Sequence, residues 1–184
     1  MKKFALIPVV LLLLSVKSHA QIFIADSCKV SFFSEATIEN IAATNSISKP
    51  LLSTATGDIQ VSISNQDFIF KKKLMQEHFN EDYMESDKYP YTVFKGKVNE
   101  KVDYEKDGDN AVTVTGNMVM HGVTKAITIP GTISIKKGII YVKADFIIKM
   151  ADYNIKIPSM LGSNIAEQVA VSLTSKMKPY DFKK

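Results

Sequence analysis

Apolar and polar residues alternate along most of this chain, and that alternation constrains the fold more than any other feature of the sequence. Ile59, Val61 and Ile63 alternate with hydrophilic residues, and the segments 112–120 and 140–150 repeat the pattern. Successive side chains of a β-strand point to opposite faces of the sheet. Each segment therefore predicts a strand with one covered face and one wet face.

Glycine-containing turns separate these strands, because glycine readily adopts the positive φ angles of tight hairpin turns. Such turn signals lie at Gly57, Gly108, Gly122 and Gly138. Pro130–Gly131 predicts a break or a bulge within a strand. Together these signals indicate about eight to nine antiparallel strands.

One segment, 74–84, departs from the alternation, since Met75, Phe79 and Tyr83 recur there at helical spacing. It predicts a short helix that caps one end of the sheet structure. A second helical turn is expected over 159–167.

Antiparallel strands joined by hairpins can form a two-sheet sandwich or close into a barrel, and the pattern alone does not choose. Closure removes the exposed strand edges that invite aggregation. The interior of an eight-stranded barrel either fills with its own side chains or holds one small ligand.

The beginning of the chain has the composition of an export signal. Two lysines near the start precede an apolar run over 4–16, which is too short to span a bilayer. Small residues then lead to a cleavage point before Gln21. We expect residues 1–20 to be a signal peptide and residues 21–184 to be one domain. The protein would then be periplasmic or secreted, with no transmembrane anchor after signal removal.

The charged residues argue against a nucleic-acid partner. All 23 basic residues are lysines, and three of them precede Gln21, so the exported chain carries 20 − 19 = +1. A chain that follows a phosphate backbone would concentrate basic charge on one face. Without arginine, an anionic headgroup could be bound only by lysine or by the backbone. The densest basic cluster, Lys71–Lys73, is interpreted as solvated surface.

The sequence offers little material for a metal site or for catalysis. Cys28 is the only cysteine and is interpreted as a buried structural thiol. Only His78 and His121 remain beyond the signal segment, which leaves no multi-histidine metal site. The chain also has no nucleophile-elbow or phosphate-loop motif. We therefore expect no metal, no cofactor and no enzymatic activity.

Several short motifs follow one another in a distinctive order: Glu77-His78-Phe79, Ser86 to Pro90, Phe94-Lys95-Gly96, Val114 to Met118 and His121 to Lys125. In this order, over roughly 23–177, the chain resembles the YceI-like family of polyisoprenoid-binding proteins. The resemblance implies an exported, lipocalin-like antiparallel barrel that holds a long isoprenoid chain in its lumen. It brings no catalytic residues.

We therefore expect an all-β, lipocalin-like barrel of about eight strands with one short capping helix, which holds a polyisoprenoid or similar amphiphile as carrier or store. Alternation and the resemblance together predict its ligand-binding residues: Leu74, Met75, Phe79, Val114, Met118, Met120, Phe146, Ile148 and Met150. His78 and His121 are predicted headgroup contacts, with a structural role as the alternative for each. A ligand-free interaction module with a filled barrel is the alternative function. A homodimer is one option, and the sequence does not determine the oligomeric state.

Overall fold

The computed structural model describes residues 21–35, 40–156 and 167–181, which form one antiparallel sheet that closes on itself. Within these residues the strands are β1 Ile22–Ser34, β2 Ile41–Asn45, β3 Leu51–Ser53, β4 Asp58–Ser64, β5 Ile69–Phe70, β6 Tyr91–Val98, β7 Gly108–Met120, β8 Val123–Lys136, β9 Ile139–Lys149 and β10 Gln168–Pro179. The signal peptide predicted over 1–20 lies outside the described residues. So does the helical turn predicted over 159–167, except for its last residue.

The helical segments are short. Helix α1 spans Lys73–His78 and continues directly into a π-helical turn over Phe79–Tyr83, while a 3₁₀ turn covers Met150–Tyr153. The first two together match the helix predicted over 74–84 to within one residue at each end. None of the helices in the described part of the chain has the length and hydropathy needed to cross a membrane.

Eight of these strands form a closed ring in the order β1, β3, β4, β6, β7, β8, β9 and β10, with β10 pairing back to β1. Strand β1 is long enough to serve several partners. One edge pairs with β10, and the other pairs with β3 over Ile22–Ile24 and with β2 over Val30–Ser34. Strand β5 then extends the sheet beyond β2. The predicted eight-stranded, lipocalin-like barrel with one short helix is confirmed.

Two of the predicted glycine turns are two-residue hairpins. His121–Gly122 joins β7 to β8, and Lys137–Gly138 joins β8 to β9. All four residues have positive φ, between 50° and 74°. Both central residues of a type I′ turn require positive φ, which matches the twist of the flanking strands.

Strand β8 contains neither the break nor the bulge predicted at Pro130–Gly131. Strand β8 runs through both residues and stays paired with β7. Its pairing with β9 stops at Gly131, opposite Ala144. Proline has no N–H to donate to a ladder. The prediction of an interrupted strand is therefore wrong, and the change lies in the β8–β9 ladder.

One end of the barrel is filled by its own side chains. Five large apolar residues there are at most 1% exposed: Leu52, Ile133, Ile135, Ile140 and Met177. They pack into the larger of two core clusters. Side chains buried this completely leave no room for a ligand among them, so any internal cavity lies toward the other end.

Cys28 is buried in the wall formed by β1 and β10, opposite Ser175. Burial raises the pKa of its thiol from 9.0 to about 11, and a hydrogen bond with Ser175 opposes part of that rise. The folded state therefore keeps a proton that the unfolded state releases between these values, so the contribution of Cys28 to stability falls as the pH rises through this range.

We expect the folded protein to resist a water-soluble disulfide reagent at about pH 8, because the thiolate is the reactive form and Cys28 is shielded from water. Unfolding in guanidinium should expose one fast-reacting thiol. The absorbance of the thiolate released from the reagent measures the rate of labelling in the folded and in the unfolded protein. Rapid labelling of the folded protein would show that Cys28 is accessible.

Candidate functional site

The hollow end of the barrel contains an apolar cavity of about 450 Å³. Cavities that bind small molecules in proteins span about 300–1,000 Å³ and are lined mainly by apolar side chains. The wall combines inner faces of the barrel strands with the helical segment that follows β5. Its strand-borne apolar residues include Val30, Phe32, Met118, Met120, Phe146, Ile148, Val169 and Val171.

Cross-strand register stacks the lining in layers. Phe32, Val171 and Phe146 lie side by side on β1, β10 and β9, and the next layer inward contains Val30 and Leu173. A smaller cavity of about 80 Å³ continues in the same direction. The two cavities share six wall residues: Val30, Ile63, Thr92, Met118, Phe146 and Val171.

The two cavities together form an elongated lumen. Along β9 the wall runs from Ile148 to Val142, which at about 3.3 Å per residue corresponds to roughly 20 Å of strand. The lumen ends at the filled core, near Met177. A long and narrow apolar space of this kind suits a chain-like hydrocarbon better than a compact ring system.

Four phenylalanine rings form one side of the cavity: Phe32, Phe68, Phe70 and Phe79. Their ring centroids are 5.0 to 5.7 Å apart, mostly in tilted or edge-to-face arrangements. These geometries are the favourable ones for aromatic pairs. The cluster joins β1 and the segment around β5 to the helical segment, so it holds the helix against the barrel.

The helical segment presents Met75, Phe79 and Tyr83 to the cavity. The π-helical turn closes with a hydrogen bond from the Met84 N–H to the Phe79 carbonyl, at 2.8 Å. This wider turn also places Met84 in the wall. Burial raises the pKa of the Tyr83 phenol, and the nearby carboxylate of Asp82 adds to that rise, so Tyr83 stays neutral at physiological pH.

The main cavity also has a few polar groups in its wall. His78 Nδ1 lies 2.6 Å from Asp82 Oδ2, and both side chains are about half exposed. Thr92 donates to Asn65 Oδ1 at 2.9 Å, and Asn65 in turn donates to the backbone. Ser34 Oγ is buried and has no hydrogen-bond partner among the described residues. Leaving a buried hydroxyl unpaired costs about 1–3 kcal/mol.

His121 connects chain segments at one end of the barrel but lines neither cavity. Its Nε2 lies 2.8 Å from Glu85 Oε2, and its Nδ1 lies 3.0 Å from the Tyr153 carbonyl. Both partner atoms are oxygens that accept hydrogen bonds. The Tyr89 ring packs against the imidazole, with centroids 4.7 Å apart. His121 thus ties the β7–β8 turn to the residues after the π-helical turn.

Comparison with known families identifies this architecture. The family model of the YceI-like domain matches residues 15–177, which is most of the chain. The chain belongs to the YceI-like family. No curated protein matches this YceI-like chain significantly.

Solved structures share the fold at low sequence identity. A polyisoprenoid binding domain from Saccharophagus degradans, implicated in plant cell wall breakdown, superposes with a TM-score of 0.73 at 18% identity, covering 86% of this chain and 98% of that one. BcnA from Burkholderia cenocepacia gives 0.68 at 18% identity, covering 81% and 95%. The Campylobacter jejuni YceI protein gives 0.54 at 19% identity, covering 73% and 80%.

Most residues predicted to bind the ligand lie in the wall of this YceI-like barrel. The main cavity is lined by Met75, Phe79, Met118, Met120, Phe146, Ile148 and Met150. Val114 lines only the smaller, deeper cavity. His78, a predicted headgroup contact, belongs to the main wall. Contact of these residues with a ligand stays a prediction.

Two predicted positions lie outside both cavities, and their contact with a ligand also stays a prediction. Leu74 is 62% exposed and lies outside both cavities. The inward stripe of the helix is set by the four-residue spacing of Met75, Phe79 and Tyr83, and Leu74 precedes that stripe by one residue, about a quarter turn away. His121 is the second, and its ring nitrogens contact Glu85 and the Tyr153 carbonyl, which fits the structural role named as its alternative.

Strands β1 and β10 contribute lining residues that were not among the predicted ones. Val30, Phe32 and Ser34 on β1, together with Val169 and Val171 on β10, form the wall between the helix and β9. Their alternating spacing was the available signal. Within the described ranges, no three His, Cys, Asp or Glu side chains come together in a way that could hold a metal ion.

Proposed function

We propose that this YceI-like protein binds a polyisoprenoid or similar long-chain amphiphile in its lumen, outside the cytoplasm, as a carrier or store without catalytic activity. The elongated apolar cavity is the observation that carries the proposal. Burying each methylene contributes about 0.8 kcal/mol, so a long tail gains substantial binding free energy from the lumen alone. Ordering the tail offsets part of this gain.

Two further observations support the proposal. One structural neighbour is described as a polyisoprenoid binding domain, and it has the same barrel as this chain. The basic and apolar start of the chain, with small residues before Gln21, supports export. The methionines of the wall, such as Met75, Met118 and Met150, have flexible side chains that adapt to an irregular guest.

We expect the protein purified from its exported fraction to carry one lipid per chain. Native mass spectrometry should show a mass excess that disappears after organic extraction, and chromatography with mass detection identifies the extracted molecule. The protein mass itself is expected to correspond to a chain beginning at Gln21. An unrelated exported protein purified in parallel controls for carry-over of membrane lipid.

Two results would contradict the proposal. The protein could purify without lipid and then fail, after extraction, to bind any long-chain alcohol offered to it. That result would favour the ligand-free interaction module. A protein found in the cytoplasm with residues 1–20 intact would overturn the proposed location.

A further inference from the structure

Ser34 is an exception among the buried polar residues of the described chain. It is 3% exposed, and its Oγ has no hydrogen-bond partner among those residues. Six other buried polar residues all make side-chain hydrogen bonds: Asn45, Ser48, Asn65, Ser86, Thr92 and Ser175. Native proteins rarely bury a hydroxyl without a partner. The other unpaired group, the phenol of Tyr153, lines neither cavity.

Ser34 is placed to reach the lumen. It is the last residue of β1, on the same strand face as Phe32, and both residues line the main cavity. A serine side chain turns about a single bond between three staggered positions. In its present position the Oγ has almost no accessible surface, even toward the cavity, so it meets a ligand atom by turning to another of these positions.

The charges of the wall argue against an anionic headgroup. Among the described lining residues, the ionisable groups other than the Tyr83 phenol are His78 and Asp82, which pair with each other, and no lysine takes part. An ionised phosphate or carboxylate would leave water without gaining a free cationic partner, and Asp82 would repel it. The basic cluster Lys71–Lys73 is exposed and lies outside the wall.

We propose that the ligand has a neutral headgroup, an alcohol, amide or carbonyl, which forms a hydrogen bond with Ser34 Oγ. A hydroxyl both donates and accepts, so it can pair with any of these groups. The tail then extends from Ser34 past Phe146 toward the filled end of the barrel. This inference rests on the proposed function, because it assigns the polar end of the same cavity.

The test uses two probes with one tail, geranylgeraniol and geranylgeranyl diphosphate, titrated calorimetrically into the extracted protein. We expect the alcohol to bind at least about tenfold more tightly than the diphosphate. Ser34→Ala should weaken binding of the alcohol about two- to tenfold, as expected for one lost hydrogen bond. Ser62→Ala removes a hydroxyl from an exposed position on β4 and should bind like the unmodified protein.

The outcomes separate this inference from the proposed function. If neither probe binds, the proposed function fails and this inference fails with it. If both bind but the diphosphate binds as tightly as the alcohol, only the neutral headgroup is wrong. If Ser34→Ala is folded, as judged by circular dichroism, and binds the alcohol with unchanged affinity, Ser34 is not the headgroup contact.

Discussion

Replacing Phe146 with aspartate is expected to abolish lipid retention while leaving a folded barrel. Phe146 lines both cavities, and in the register of β9 it lies beside Val171, whose neighbour on β1 is Phe32. A carboxylate at this point would stand in the path of any tail. Burying it against hydrocarbon without a partner costs several kcal/mol. Since about 1.4 kcal/mol is a factor of ten, affinity should fall about 100-fold or more.

The neighbouring residue gives a matched control for this prediction. Ile147 follows Phe146 on the same strand but is 58% exposed. Ile147→Asp therefore introduces the same charge one residue away, on the outer face, and should retain lipid normally. Thermal unfolding verifies that both variants are folded, and the lipid extracted per chain measures retention. A folded Phe146→Asp protein with the lipid content of the unmodified protein would show that the lumen is not the binding site.

Sequence periodicity predicted the parts of the fold that depend on neighbouring residues. In 140–150 the even-numbered residues face inward and the odd-numbered residues are exposed from Tyr141 to Lys149, as the alternation indicates. The turns at Gly122 and Gly138 were also predictable, because each needs positive φ at specific positions. These features are local, so a single sequence contains the information that determines them.

Features set by a distant partner strand were not predictable. The register of β1 against β10 shifts between Ala25 and Ser27, so Asp26 is an extra residue and two successive side chains face outward. This bulge is recognised only when β10 is known to lie beside β1, some 150 residues later in the chain. The Lys178 Nζ donates a hydrogen bond to the Asp26 carboxylate at 2.6 Å, and this bond lowers the pKa of Asp26.

The site could be predicted only in part for the same reason. Alternation identified which residues of β7 and β9 face the interior of the barrel. It could not show which part of each strand surrounds the cavity and which part surrounds the filled core. Val114 and Met118 share one strand face, but only Met118 reaches the main cavity. The unpaired hydroxyl of Ser34 has no sequence signal, because a missing partner becomes visible only in the folded chain.

Strands β6 and β7 approach each other closely in the barrel wall, and we expect a side chain added at this contact to destabilise the fold strongly. Gly116 pairs with Gly96 across these strands. A Cβ at Gly116 would overlap the carbonyl oxygen of Lys95 and the Cα of Gly96, and a Cβ at Gly96 would lie 2.6 Å from the ring of Phe94. The glycine pair thus leaves space for two backbones and for the Phe94 ring, which lines the smaller cavity.

Gly116→Ala is therefore expected to lower the free energy of unfolding by about 3 kcal/mol or more, because backbone atoms cannot yield without breaking the β6–β7 ladder. For a domain of this size, that corresponds to a fall of roughly 6–12 °C in Tm. Gly138→Ala is the matched control: its φ is +74°, but nothing lies within 4 Å of an added Cβ. It should cost only the left-handed backbone penalty, about 1–2 kcal/mol. Guanidinium unfolding of both variants measures the difference, and a Gly116→Ala protein no less stable than Gly138→Ala would show that the strands have room to separate.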